Sequence, residues 1–224
     1  MTVDTAAAVE TIIYDLDGTL IVGDSGYSLL RFRLRQTWWR GLLGIVVMPL
    51  ALPLVAVVAT RRIGTSIFLW IASVGLRPET RAAIIDQFFD QYQIRRIEPI
   101  VALLRIDLAA GHKVAIATGS FQELAERVVA SLDLPRPPII VGSTLRPFAG
   151  GLITLLHANG IRKLHRMTEC GLAPPFAAAY SDSSADLPLL LAAQSAHWVT
   201  TSGRVSAQVR RQRPDLIVHA VDSN

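Results

Sequence analysis

The spacing of apolar and polar positions changes several times along the chain. "TIIYDLD" (11–17) is a β-branched, apolar run that ends in acids, which predicts a buried strand. "KVAIAT" (113–118), "PPIIVGS" (137–143), "GLITLL" (151–156), "FAAAYSD" (176–182), "HWVT" (197–200) and "DLIVH" (215–219) read as further short strands. Between them, "PETRAAIIDQFFDQYQIRRI" (78–97), "SFQELAERVVASL" (120–132), "GIRKLHRMTECG" (160–171), "ADLPLLLAAQ" (185–194) and "GRVSAQVRRQ" (203–212) read as helices. Pro99 suits the first turn of a helix running to about Ala110, and Ser120 with Glu123 has capping-box spacing. Outside residues 24–96 strands and helices alternate. The expected fold class is therefore α/β, a doubly wound parallel sheet with helices on both faces. Residues 24–96 form a hydrophobic, helical cap inserted into a core made of 1–23 and 97–224. Ligands bind such sheets at the carboxyl ends of the strands, so the insertion would cover the site.

The acids fall at those ends. Asp15 and Asp17 close the first strand, Thr118 the second, and Asp182 and Asp186 follow a late strand, with Lys163 in a helix. Four acids so placed are costly unless they hold a cation, and Mg²⁺ suits hard oxygen ligands while keeping several waters. With these residues the sequence resembles the haloacid dehalogenase-like (HAD) phosphatases, in the phosphoserine phosphatase branch with a helical cap. "DLDGTL" (15–20) resembles the first motif, the threonine of "AIATGS" the second, Lys163 in "NGIRKLHRM" the third and "SDSSADLPLL" (181–190) the fourth.

The resemblance implies that Asp15 is the nucleophile, taking the phosphoryl group as an aspartyl phosphate. Asp17 would protonate the leaving alkoxide and then activate water. Mg²⁺ would be held by Asp15, the backbone carbonyl of Asp17 and Asp182, with Asp186 closing the shell directly or through water. Thr118, Gly119 and Lys163 would bind the phosphoryl oxygens, and Gly18 would allow the turn that aims both aspartates at one point. An acid at position 17 favours phosphate esters over dehalogenation. The chain has twenty arginines and two lysines, so a lysine at 163 fits a requirement for a compact charge. Ser181 stands where the family often has glycine. Asp24 falls where phosphoserine phosphatases place an acid for the substrate's ammonium group, usually a glutamate. The five histidines lack metal-ligand spacing.

Composition changes the picture at the cap. The 224 residues carry a net charge of +4, are 51% hydrophobic and have a mean hydropathy of +0.39. Seven arginines and no acid lie between Ser25 and Pro78, leaving about −3 (4 minus 7) elsewhere. "GLLGIVVMPLALPLVAVVAT" (41–60) is uncharged, and Arg31, Arg33, Arg35 and Arg40 precede it around Trp38 and Trp39. Basic and aromatic residues flanking apolar ones point to an anionic membrane surface, not to nucleic acid.

A single crossing at 42–59 would put Asp15 and Asp182 on opposite sides of the bilayer. A spanning hairpin would use residues 63–76, fourteen uncharged residues and too short, and would carry Arg61 and Arg62 across. Pro49 and Pro53 are expected to break regular helical bonding. The reading is thus a phosphatase peripheral on the cytoplasmic face of the membrane, its substrate a lipid phosphomonoester such as phosphatidylglycerophosphate. A soluble-metabolite phosphatase with a merely packed or dimeric cap, and an inactive membrane adaptor, are the alternatives. Cys170 is the single cysteine, which fits a reducing compartment, and "MTVDTAAAVE" lacks the basic start of an export signal.

Overall fold

The structure, a computed structural model, describes residues 10–57 and 59–222; the reading of the first nine residues lies outside them. Seven strands form one sheet: β1 (Thr11–Tyr14), β2 (Lys113–Phe121), β3 (Ile139–Phe148), β4 (Gly151–Leu156), β5 (Phe176–Ser181), β6 (Ala193–Thr200) and β7 (Ile217–Ala220), in the order β4-β3-β2-β1-β5-β6-β7. Every pairing is parallel except β3 with β4. That antiparallel edge departs from the all-parallel expectation, and the connection explains it. Ala149 and Gly150, at φ 44° and 75°, make a two-residue turn between the strands. A turn with two positive φ values closes a hairpin, whereas a parallel neighbour needs a long crossover.

Alternation along the central strands builds two apolar layers. Ile12, Tyr14, Ile116 and Tyr180 face one side of the sheet, while Ile13, Ala115, Ala179 and Trp198 face the other. The first layer packs on α5 (Glu98–Ala109) and α6 (Gln122–Ala130), through residues such as Leu104 and Val128. The second takes α7 (Ile161–Glu169), a 3₁₀ turn (Ser184–Asp186) running into α8 (Leu187–Leu191), and α9 (Ala207–Gln212). Gly171, at φ 75°, follows the end of α7 as its position in the sequence suggested. The expected capping box at 120–123 does not form. β2 runs on to Phe121, α6 starts without a side-chain cap, and the Ser120 hydroxyl points elsewhere.

Four helices lie between β1 and α5: α1 (Ser25–Gln36), α2 (Trp38–Ala56), α3 (Arg61–Ser73) and α4 (Pro78–Gln91). The stems of this insertion are stitched together by Val22 N–H donating to Arg95 O and Ile97 N–H donating to Leu20 O. Leu29, Ile85 and Phe88 from α1 and α4 join the first apolar layer. Pro49 and Pro53 do not end α2, which continues through both. Each proline removes one N–H, so the carbonyls four residues earlier, of Ile45 and Pro49, lose their helical donors on an exposed face.

α3 lies along the edge strand. Thr154 N–H donates to Ser66 Oγ and Leu152 N–H to Ser73 Oγ, while each serine donates onward to a carbonyl one turn earlier in α3. Trp70 Nε1 donates to Phe148 O, Arg62 to Leu155 O, and Gly75 N–H to Gly150 O. The outward amides of β4, which would otherwise be an open edge, are thereby occupied.

Candidate active site

The carboxyl ends of β1, β2 and β5 bring the sequence-predicted residues to one place. Asp15 follows β1 and is buried, and its Oδ1 accepts from the Leu16 N–H at 2.9 Å and from Lys163 Nζ at 2.9 Å. Lys163, in the first turn of α7, also donates to Asp186 Oδ2 at 2.6 Å. The same Asp186 oxygen accepts from Ser181 Oγ at 2.8 Å. Asp186 therefore orients Lys163 through Oδ2, a task the sequence did not announce beside the metal ligation expected of it. Ser181 takes part as well: it ends β5, is fully buried, bonds Asp186 and accepts from Ser183 N–H. The hydroxyl at this departure from the family's usual glycine is built into the support of the lysine.

Asp17 is held on both oxygens. Oδ1 accepts from the Ser25 N–H at 2.7 Å, and Oδ2 accepts from Ser120 Oγ at 2.7 Å and Thr118 Oγ1 at 3.2 Å. Thr118 Oγ1 in turn accepts from the Ser120 N–H. Ser25 is the first residue of α1 and is buried, with its hydroxyl 3.1 Å from that of Ser120. Cap and core thus meet at Asp17. Ser25 and Ser120 were missed by the sequence reading; the signal available for Ser120 was its place two residues beyond Thr118, on the same face of an extended strand.

Asp182 lies directly over the turn after β1. Gly18 has φ +78°, and a Cβ there would stand 2.1 Å from Asp182 Oδ2, so both conformation and space require glycine. Thr19 Oγ1 donates to Asp182 Oδ1 at 3.4 Å. Burial pushes Asp182 up to about 6, with the Asp186 charge adding to it. Burial also raises Asp15 well above the ordinary carboxylate value; Lys163 opposes this, while Asp186 and Asp182 reinforce it. Burial alone would lower Lys163, but the carboxylates of Asp15 and Asp186 outweigh it and hold the ammonium above its usual range. Three buried or half-buried acids thus face one lysine, leaving an excess of negative charge.

That excess fits a divalent cation. The donors are all hard oxygens, from Asp15, Asp182 and the backbone. Among the described residues no group of three His, Cys, Asp or Glu side chains is arranged to hold a metal ion, which leaves the two aspartates alone as side-chain donors. Such an open set suits Mg²⁺, which keeps several waters and takes few protein ligands.

The family model for the haloacid dehalogenase-like hydrolases matches residues 12–191. The chain belongs to that family. Solved structures agree on the fold. A protein of unknown function from Bordetella pertussis Tohama I is 20% identical, with a TM-score of 0.69 over 94% of this chain and 98% of its own. A phosphoserine phosphohydrolase-like protein from Francisella tularensis subsp. tularensis SCHU S4 is 18% identical, with a TM-score of 0.60 and 95% of each chain covered. A phosphoserine phosphatase in its apo form is 14% identical, with a TM-score of 0.59 over 95% of this chain and 94% of its own.

In this hydrolase the insertion forms one wall of a cavity of about 1560 Å³. Asp15, Asp17, Gly119, Lys163 and Asp182 line one part of it, and Leu34, Ile45, Met48, Leu52 and Phe68 of the cap line another. Gly119 also accepts from Ser143 Oγ at its carbonyl. Asp24 borders the cavity but has a structural task, since its Oδ1 caps α1 by accepting from the Tyr27 N–H at 2.7 Å. The cap arginines divide. Arg40 is buried and donates to Ile71 O and Val74 O, and Arg33 Nε donates to Ala72 O, so both close the C-terminal end of α3. Arg31 and Arg35 are exposed and border the cavity. The expectation that all four arginines meet anionic lipid is corrected accordingly: the carbonyls at the end of α3 claim two of them.

Proposed function

We propose that this hydrolase is a Mg²⁺-dependent phosphomonoesterase that works through an aspartyl phosphate on a membrane lipid phosphate such as phosphatidylglycerophosphate. The observation that carries the reading is the single cavity joining the Asp15–Lys163 end to the apolar lining of the cap. A phosphate group suits the first part and acyl chains suit the second.

In this mechanism Asp15 Oδ2, which receives neither of the donors on Oδ1, attacks phosphorus in line with the leaving oxygen. Asp17 gives that oxygen its proton as the P–O bond breaks. The incoming phosphoryl group takes over the hydroxyl of Thr118, releasing Asp17 Oδ2 from it. Asp17 next removes a proton from water, which attacks the phosphoenzyme, frees inorganic phosphate and restores Asp15. Lys163, fixed by Asp186 and Ser181, neutralises charge on the phosphoryl oxygens. Mg²⁺, held by Asp15, Asp182 and the Asp17 carbonyl, would supply further charge neutralisation there.

The outer face of α2 is what favours a membrane contact in this reading. Trp38, Leu42, Val46 and Leu50 form one exposed stripe, with Trp38 80% exposed. α2 is long and apolar enough to cross a bilayer by length and composition. Its partner α3 and the residues just after it, however, are bonded to the β3–β4 hairpin from Arg62 to Gly75, so the helical pair lies beside the core and suits a shallow seat in the interface.

The test is phosphate release with Mg²⁺ from a long-chain lipid phosphomonoester in mixed micelles and from soluble phosphomonoesters, paired with vesicle flotation. Preferred turnover of the lipid and flotation that rises with anionic lipid are expected. Turnover confined to soluble esters, with no vesicle binding, would replace the lipid reading by a soluble-metabolite phosphatase.

A further inference from the structure

Besides Lys163 and Arg204 of the core, the cavity carries cations from the cap. Its acids, Asp15, Asp17, Asp24, Asp182 and Asp186, all belong to the strand ends or the start of α1. Arg31 and Arg35 on α1 and Arg61 at the start of α3 line the cavity from the cap. Arg31 and Arg35 stand four residues apart and so share one helix face. Among the described residues, arginine ion pairs involve Arg96, Arg105, Arg127, Arg166 and Arg213, and none involves these three. The sequence offers no acid between Ser25 and Pro78 to pair with them. Arg61 Nε donates to Val55 O, which fixes the side chain without neutralising it. Like charges at i, i+4 destabilise a helix, and a cation in the first turn opposes the helix dipole. Arg31 and Arg35 thus stand together with no ion pair among the described residues, while Arg61 is held by a carbonyl at the C-terminal end of α2.

We propose that Arg31 and Arg35 form a second anion subsite that binds a phosphodiester carried on the leaving alcohol of the phosphomonoester. The assignment rests on the phosphomonoesterase reading and deepens it: the preferred substrate carries two phosphates, one hydrolysed and one held. Position supports this. Ser25, at the start of α1, is bonded to Asp17, and Arg31 lies six residues along the helix, a rise of roughly 9 Å. A group a few bonds beyond the reacting phosphorus comes under Arg31 first, and Arg35 follows one turn further on. Arginine suits the task because its planar fork binds two phosphate oxygens at once. Arg61 lines the same cavity from the start of α3; its charge is one of those that, after burial, keep His157 beside Gly119 neutral.

The test uses short-chain substrates below their micellar concentration, so that membrane binding plays no part. One is a glycerophospholipid whose headgroup ends in a phosphomonoester, carrying two anions. The other is the matched diacylglycerol phosphate, carrying one. The wild-type enzyme should prefer the first in kcat/KM. In Arg31→Gln/Arg35→Gln that preference should fall roughly 10- to 100-fold, mostly through KM. Arg31→Lys/Arg35→Lys should restore part of it, and thermal unfolding of both variants should match wild type. An unchanged preference ratio, whether both rates fall together or neither moves, overturns the subsite while leaving the phosphatase reading intact. Headgroup binding by these arginines would appear as a loss confined to vesicle flotation, which also overturns it. Wild-type enzyme inert on both esters overturns the lipid-phosphomonoesterase reading on which the subsite rests.

Discussion

Replacing Asp186 by asparagine separates two roles that its position in the sequence leaves merged. In the structure its Oδ2 is filled by Lys163 Nζ at 2.6 Å and Ser181 Oγ at 2.8 Å, and both charged side chains are at most 3% exposed. Removing one partner of a buried ion pair costs about 3–5 kcal/mol. Asparagine keeps an acceptor, and the loss also relieves repulsion between Asp186 and Asp15, so a net cost of about 2 kcal/mol is expected. For a chain of this size that is roughly 4–8 °C in Tm. Activity should fall roughly 10- to 100-fold, because Lys163 loses the group that aims it. The Mg²⁺ concentration for half-maximal activity should change little, whereas Asp182→Asn should raise it more than tenfold with a smaller effect on Tm. The assays are thermal unfolding in chelator and phosphate release across a Mg²⁺ titration. If Asp186→Asn shifts the Mg²⁺ requirement as far as Asp182→Asn and leaves Tm unchanged, Asp186 is a metal ligand and the positioning argument is wrong.

Three further outcomes follow from the same geometry. Asp15→Asn should remove turnover by several orders of magnitude while the far-ultraviolet dichroism stays native, and near-wild-type phosphate release would refute the covalent route. Gly18→Ala should cost about 1–2 kcal/mol from its positive φ and displace Asp182, so that activity falls far more than that stability loss suggests; a fully active variant would show that Asp182 moves without consequence. His157 is depressed to about 4 by burial and by the charges of Arg61, Arg162 and Lys163, so the fold gains stability from it above pH 6.5 and loses that contribution as pH falls from 6.5 towards 4. His157→Gln should therefore flatten the acid limb of the stability curve by roughly 2 kcal/mol or less, and an unchanged limb between those pH values would refute the assignment.

The strand-end acids were legible because their chemistry and their position coincide. A run such as "TIIYDLD" announces both a buried strand and its polar end, and the structure puts Asp15, Lys163 and Asp186 in contact across 148 and 23 residues of sequence. What could not be read was the direction of side chains that have several possible partners. Ser120 had the spacing of a helix cap, yet Asp17 and Ser25 take its hydroxyl once β2 extends to Phe121. Arg33 and Arg40 looked like members of a basic surface, but the orphan carbonyls at the end of α3 draw them inward. Asp24 likewise serves the start of a helix. For the two arginines and Asp24, backbone groups left unsatisfied by the fold decide the outcome, and for Ser120 a carboxylate does; those partners appear only when the elements are placed.

The edge strand has the same logic and sets the geometry of the cap. An antiparallel β4 leaves alternate amides facing outward, and Ser66 and Ser73, seven residues apart, return to the same face of α3 after two turns. With Arg62, Trp70 and Gly75 they attach α3 along the full length of the hairpin. At roughly 1 kcal/mol for each hydrogen bond, swinging α3 off the core would cost several kcal/mol, which confines an open state to a small minority of molecules. Access to Asp15 then depends on the spaces beside α1 and α2 and not on detaching α3. It is along α2 that the exposed apolar stripe and Trp38 lie. A serine pair that satisfies an edge strand thus also fixes α3 as a wall of the cavity over the acids.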